Sequence, residues 1–273
     1  MALSLDGVLA RRLEAHEAWS GVAHAETQAR LYPASGATWL AVGSGRAVFC
    51  GRRSPNSRVY GWNAEGNALD EQLDAIEAFY EARSLPARVR FPAPYARDVL
   101  RRLAARRYQL FDAMDVYVRR CDSLLQDTRA AGPSSLRIGL AASAREAHLW
   151  FEKADVGGDW ADPDGLGFMM IRCFHKAGTQ LFIAWLDGEP VGAAALEIRE
   201  GIASLMAAAT RPEFRRQGVH LALLHARLQA ASRAGCDLAM VQARPNAPSR
   251  RNFLRLGFRL AYTAYTLRSP GAM

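Results

Sequence analysis

The stretch that decides the fold is ATRPEFRRQGVHLALL, residues 209–224. Apolar residues recur at helical spacing from its second half onward, which predicts a helix over 218–234 with one buried face. Gly235 follows where a left-handed residue would end that helix. The residues that we assign to the buried face are Leu221, Leu224, Leu228 and Ala231.

The loop before this helix combines a glycine with two adjacent arginines. A helix begins with backbone N–H groups that have no partner within the helix and with a partial positive charge. Gly218 allows a ligand to approach the backbone, and Arg215 and Arg216 add full charges. These features are typical of a phosphate or pyrophosphate site. The alternative is a solvated turn whose arginines face water.

The first half of the chain repeats the order of the second half at an offset close to 150 residues. A polar segment at 121–135, CDSLLQDTRAAGPSS, separates the halves and is typical of a linker. We therefore predict two copies of one α/β unit, at 1–120 and 135–273, joined by a linker at 121–134. The matching segments are helix 67–83 with 218–234, strand 87–91 with 236–243, helix 95–108 with 247–256, and strand 114–120 with 262–269.

The second half has further elements before its helix. Residues 136–142 predict a strand, and a helix follows from Ser143 with Glu146 as its capping partner. Residues 181–210 predict three strands, with the first hairpin at Asp187-Gly188. This order indicates a mixed α+β sheet, mainly antiparallel and flanked by helices, rather than a doubly wound nucleotide fold.

The two predicted helix starts differ in charge. The first-half helix carries Glu65, Asp70 and Glu71 near its first turn. These carboxylates satisfy the helix dipole themselves and would repel a phosphate. The second half is therefore the functional candidate.

TRPEFRRQGVHLALL resembles the acetyl-CoA signature of the GNAT (GCN5-related N-acetyltransferase) superfamily. NAPSRRNFLRLGF resembles the second motif of that superfamily, with Asn246, Ser249, Phe253 and Gly257-Phe258 at its spacing. The resemblance covers about 136–268. The first half resembles only the scaffold and is identified as a degenerate GNAT-like copy.

The resemblance implies an N-acyltransferase that moves an acetyl group from acetyl-CoA to a small-molecule or peptide amine by direct attack. The loop amides from Arg216 to His220 would hold the pyrophosphate, and the pantetheine arm would pair with Ala208–Thr210, where two strands part. An N–H near Ala208 would stabilise the oxyanion. The implied cofactor-binding residues are Ala208, Ala209, Thr210, Arg215, Arg216, Gln217, Gly218, Val219, His220, Asn246 and Phe253.

The chain departs from the family pattern at three places. His220 replaces a small residue, Phe253 stands where many members have a tyrosine that protonates the thiolate, and the strand 201–210 has no carboxylate or histidine. The catalytic acid and base are therefore not assigned. Residues considered for these roles are Ser204, Glu197, Glu200, Tyr262 and Tyr265, each with a structural alternative as a surface carboxylate or packed aromatic.

Two other functions stay open. The missing tyrosine favours a CoA-binding pseudoenzyme or sensor, and a net charge of +8 leaves an aminoacyl-tRNA-using transferase as a further hypothesis. The segment 155–168 typically borders the acceptor site in this fold. Its four aspartates would attract a cationic amine, although a solvated loop is the default: Asp155, Asp159, Asp162 and Asp164.

The composition and residue spacing also bear on nucleic-acid binding, cellular location and metal binding. Only two of the 35 basic residues are lysines, and no long basic tract occurs, so nucleic acid is an improbable partner. No apolar run is long enough to span a bilayer and no signal layout opens the chain, which predicts a cytoplasmic protein. The four cysteines lack zinc-site spacing, and His220 and His225 lie five apart, so we predict no metal site. Three tryptophans are assigned to core or pocket wall: Trp150, Trp160 and Trp185.

Overall fold

The computed structural model describes residues 7–62, 69–93, 96–121, 133–143, 145–147, 149 and 173–271. The helices are α1 Gly7–Leu31, α2 Leu69–Glu81, α3 Ala96–Ala105, α4 Val219–Arg233 and α5 Arg250–Arg255. The strands are β1 Thr38–Val42, β2 Gly45–Phe49, β3 Val59–Tyr60, β4 Arg88–Pro92, β5 Gln109–Arg120, β6 Leu136–Leu140, β7 Thr179–Leu186, β8 Glu189–Arg199, β9 Ile202–Thr210, β10 Leu238–Ala243 and β11 Arg259–Arg268.

The chain forms two compact units. Unit 1 comprises Met1–Val116, Ala243–Pro245 and Leu260–Met273, and unit 2 comprises Tyr117–Gln242 and Asn246–Arg259. This division differs from one made at a linker over 121–134, because β11 pairs antiparallel with β4 and so belongs almost wholly to unit 1. The predicted linker lies largely outside the described residues.

Unit 1 has the strand order β1-β2-β3-β4-β11-β5. β1, β2 and β3 pair antiparallel, whereas β3 and β4 pair parallel. Helix α2 buries Leu69, Leu73, Ile76 and Tyr80 in the core of this unit, as the helical spacing in its sequence predicts.

Unit 2 has the strand order β10-β9-β8-β7-β6, in which β9 and β10 are parallel and the other neighbours are antiparallel. Both hairpins turn on a pair of positive-φ residues, Asp187-Gly188 and Glu200-Gly201, which suits the twist of two-residue hairpins. Ser143 accepts a hydrogen bond from the Glu146 N–H, so the predicted cap is confirmed. The predicted mixed α+β fold class is also confirmed.

Helix α4 packs on β8 and β9 within unit 2. It ends before Gly235, which is left-handed with φ +74° as predicted. The buried face differs from the prediction: Leu221 is half-buried, because Leu223 takes the inward position, and Val219 and Arg227 are also buried. The buried residues of α4 are Val219, Leu223, Leu224, Arg227, Leu228 and Ala231.

Candidate functional site

The last part of β9 contains a β-bulge. Ala193 of β8 pairs with Ala209, whereas Ala195 pairs with Met206, so two residues of β9 stand opposite one residue of β8. Ala207, the first of the two, has φ +48°, a conformation that costs an L-residue free energy and that is uncommon within a strand. The bulge turns the peptide groups of Ala207 and Ala208 out of the regular ladder.

Just before the bulge, β9 and β10 part. Their parallel register runs from Ile202 opposite Leu238 to Leu205 opposite Val241 and stops there. β9 nevertheless continues to Thr210. The strand segment 206–210 therefore presents a backbone edge that β10 does not cover, which is the opening predicted for a pantetheine arm.

The loop after β9 leads directly to the start of α4. Arg216 and Gly218 have positive φ, +63° and +83°, and Gly218 is the N-cap of the helix. Alternation of this kind points successive N–H groups into one concavity that binds anions. The loop thus ends on the unpaired N–H groups of a fifteen-residue helix.

The charges around this loop fall into two groups. Arg211 forms ion pairs with the carboxylates of Glu189 and Glu213. Arg215 and Arg216 are exposed, and no ion pair to a carboxylate involves them in the part of the chain that the structure describes. Arg215 donates from Nε to the Thr210 carbonyl oxygen at 3.3 Å, which ties the loop to the end of β9.

The structure brings most of the predicted cofactor-binding residues together along one path. The uncovered edge of β9 carries Ala208, Ala209 and Thr210, and the loop and first turn of α4 carry Arg215, Arg216, Gln217, Gly218, Val219 and His220. The Gln217 side chain donates to the Glu213 carbonyl oxygen at 3.3 Å. Val219 as a whole residue is 1% exposed, so its side chain packs inward and offers no surface to a ligand.

His220 lies in the first turn of α4 and is neutral near pH 7. Burial, with a smaller contribution from the charge of Arg227, lowers its pKa to about 4. The Asn252 amide nitrogen lies 2.8 Å from its Nδ1. An amide nitrogen can only donate, so Nδ1 accepts and the proton lies on Nε2.

The two predicted residues of the second motif lie in different settings. Asn246 is exposed and left-handed, with φ +65°. Phe253 is 2% exposed and packs in an aromatic cluster with ring centroids 5.7 Å from Tyr117, 6.1 Å from His220 and 6.2 Å from Phe258. Phe253 therefore has the surroundings of a core residue.

The residues considered as acid or base have other partners or lack an ionisable group. Glu197 is fully buried in an ion pair with Lys176 at 2.5 Å. Tyr262 belongs to unit 1 and donates to Glu14, and burial raises its pKa well above the usual value. Tyr265 packs against the unit 1 core, Glu200 pairs with Arg199 on the surface, and Ser204 is buried.

The described residues contain no group of three metal-ligating side chains, and none of their helices is both long and apolar enough to cross a bilayer. Trp185 packs against the unit 2 core. Trp150, Trp160, Glu65 and the four aspartates of 155–168 lie outside the described residues.

Two features of the site were not predicted from the sequence: the bulge at Ala207 and the buried Arg227. Residues 207–209 are all alanine, so their pattern does not indicate the register. For Arg227 the sequence does carry a signal of burial. It stands three residues after Leu224 and four before Ala231, and this spacing places it on the same helix face as those buried residues.

Comparison with known proteins agrees with this geometry. Residues 145–258 match the family model of the acetyltransferase (GNAT) family. A GCN5-related N-acetyltransferase from Kribbella flavida superposes with a TM-score of 0.68 at 20% identity, over 92% of this chain and 97% of that one. A tandem GNAT protein from the clavulanic acid biosynthesis pathway superposes with a TM-score of 0.63 at 15% identity, over 85% and 80%. At these identities the likeness is one of fold. A search of curated proteins gave no match.

Proposed function

We propose, from the premise that residues 145–258 form a domain of the GNAT family, that unit 2 binds acetyl-CoA and transfers its acetyl group to an amine. The observation that carries the proposal is the parting of β9 from β10 after Leu205, next to a helix start with exposed arginines. An extended thioester with a pyrophosphate at its other end needs both features side by side.

The pyrophosphate is assigned to the loop and the start of α4. The N–H groups from Arg216 to His220 supply donors, and the positive φ of Gly218 lets the backbone come close to the ligand. Arg215 and Arg216 supply charge, since Arg211 is already neutralised by two carboxylates. Because His220 is neutral, it would contact the ligand through packing and a hydrogen bond rather than through charge.

The pantetheine arm is assigned to the uncovered edge of β9 at Ala208–Thr210. Its amide groups have the spacing of a short peptide, so they can add to this edge like another strand. When bound, acetyl-CoA supplies an activated thioester carbonyl. The bulge at Ala207 and Ala208 presents N–H groups to that carbonyl oxygen, and such prearranged donors favour the charge that develops there.

A specific observation favours a second candidate, a CoA-binding protein without turnover. Phe253 has no proton to give, and Glu197 is held in a buried ion pair. Neither residue therefore takes the role of the catalytic acid. For a transferase, the departing thiolate would take its proton from water or from the ammonium group of the acceptor.

Titration calorimetry with acetyl-CoA tests the binding proposal. We expect a dissociation constant in the micromolar range, and a folded sample that binds neither acetyl-CoA nor CoA would reject it. A panel of amines assayed for free thiol then separates the two candidates. Thiol release above background hydrolysis supports the transferase, and its absence with every amine supports the sensor.

We further propose a cytoplasmic location. All four cysteines, Cys50, Cys121, Cys173 and Cys236, are buried and form no disulfide. Cysteines without disulfides are typical of a reducing compartment, where glutathione and thioredoxin keep thiols reduced.

A further inference from the structure

Arg227 is an unusual residue for the inward face of a helix. Its side chain is completely buried, and no carboxylate pairs with it in the described part of the chain. Burial lowers its pKa to about 9, so it stays charged at neutral pH. A buried charge without a counter-ion is costly, and it persists only where other groups hold it.

The groups that hold Arg227 are three backbone carbonyls. Nε donates to the Leu223 oxygen at 3.0 Å, one turn back in α4. Nη1 donates to Ala195 at 3.2 Å and to Met206 at 3.3 Å. Nη2 is buried and has no hydrogen-bond partner among the described residues.

The two sheet carbonyls define the edge of the bulge. Ala195 and Met206 form the last regular pair of β8 and β9 before Ala207 and Ala208 stand opposite a single residue. One guanidinium nitrogen therefore joins both strands at the point where their register changes. On the other side of the bulge, a Cβ at Gly192 would lie 2.9 Å from the Ala209 carbonyl oxygen, so that strand pair is also tightly placed.

The Met206 carbonyl and the Ala207 N–H belong to one peptide group. A cation that donates to this carbonyl polarises the whole group and strengthens the N–H as a donor. Arg227 thus acts on the bulge amide in two ways, by fixing its direction and by increasing its positive character.

We propose that Arg227 is a positioning residue for the acyl group: it holds the β9 bulge in place and makes the Ala207–Ala208 amides favour negative charge on a ligand oxygen. This inference rests on the proposed function, because it needs acyl-CoA to lie along β9. It assigns a role to a residue outside both sequence motifs.

Three ligands separate this role from general binding. CoA has no acyl oxygen, acetyl-CoA has a neutral carbonyl, and carboxymethyl-CoA is an inert thioether that carries a carboxylate near the same place. We expect the wild-type protein to bind carboxymethyl-CoA at least as well as CoA. In Arg227→Met, the ratio of carboxymethyl-CoA to CoA affinity should fall about tenfold, because a charged hydrogen-bond donor behind the bulge is lost. The affinity for CoA itself should change little.

Two further variants extend the test. Arg227→Gln keeps a donor without charge and should lose the same preference as Arg227→Met, and it decides the matter if the methionine variant does not fold. Arg227→Lys keeps the charge and should retain more of the preference than either neutral variant. Leu228→Ala is the matched control, since Leu228 is the next residue of α4 and is 4% exposed. It should weaken folding without changing the ligand ratio.

The outcomes are distinct. If the wild-type protein binds no CoA compound, the proposed function fails and this inference fails with it. If it binds all three but the neutral Arg227 variants keep the wild-type affinity ratio, only the role of Arg227 is rejected. An equal drop of the ratio in Leu228→Ala would also reject it, because packing alone would then explain the effect.

Discussion

Replacing Gly218 by alanine tests the helix start most directly, because the chain contains a matched control. Gly218 and Gly235 flank the two ends of α4, with φ +83° and +74°. Alanine in this left-handed region costs about 1–2 kcal/mol. We therefore expect Gly218→Ala and Gly235→Ala to lower the free energy of unfolding by similar amounts, measured by urea denaturation.

Only the Gly218 variant should affect the ligand. Gly218 is the N-cap of α4, so a change in its φ turns the N–H groups of the following turn away from the proposed pyrophosphate. A hydrogen bond to a charged group contributes about 1.5–3 kcal/mol, and misaligning one would weaken acetyl-CoA binding by about tenfold or more.

Titration calorimetry on both folded variants gives the answer. Gly235→Ala should bind acetyl-CoA like the wild-type protein, since it lies at the far end of the helix. If the two variants bind with affinities within twofold of each other, the helix start does not hold the ligand, and the assignment of the loop is wrong.

Three further predictions concern other residues of unit 2. Changing Arg215 and Arg216 together to alanine should weaken acetyl-CoA binding by about 1–3 kcal/mol and flatten its salt dependence in calorimetry, with little effect on folding; unchanged affinity at low salt would contradict this. Because the pKa of His220 is about 4 in the folded protein and about 6.5 when unfolded, the stability that it contributes is complete above pH 6.5 and is lost as pH falls towards 4. Urea denaturation should show this loss, about 3 kcal/mol at most, and His220→Gln should reduce it. Glu197→Gln should lower the free energy of unfolding by about 3 kcal/mol, since it removes the buried carboxylate that pairs with the Lys176 ammonium, whereas replacing both by methionine should restore much of it; loss of turnover without loss of stability would instead mark Glu197 as a base.

Local chemistry explains which parts of the fold could be predicted. Asp187-Gly188 favours a two-residue hairpin by its own backbone preferences, and the cap at Ser143 needs only Glu146 three residues later. Helix α4 combines helical periodicity with Gly235 at its end. Each of these signals lies within a few residues of the element that it defines.

Other parts depend on partners far away in sequence. β11 pairs with β4 across more than 170 residues, and nothing local indicates which strand will be its neighbour. Helix α1 was not predicted because its inward face carries polar residues, His16, His24 and Gln28 among them, so its apolar residues form no clear stripe.

The residues of the candidate site likewise divide into those with a local sequence signal and those that depend on distant partners. The glycine and arginines of the loop could be assigned from sequence, because helix starts and positive charge attract anions wherever they occur. The bulge at Ala207 could not, since its geometry depends on the β8 register. Arg227 was missed because an arginine in a helix is normally read as exposed, and its partners are carbonyls that sequence does not reveal.

The two helix starts differ in how well each would suit the proposed anionic ligand. At α2, Asp70 and Glu71 occupy the first turn, and Asp70 forms ion pairs with Arg102 of α3 and with Arg106, which follows that helix. The helix dipole there is already compensated within unit 1, and an incoming phosphate would meet carboxylates. The first turn of α4 contains no acidic residue, so its N–H groups keep their full positive potential. That potential is what the proposed ligand needs, and the loop arginines add to it without neutralising it.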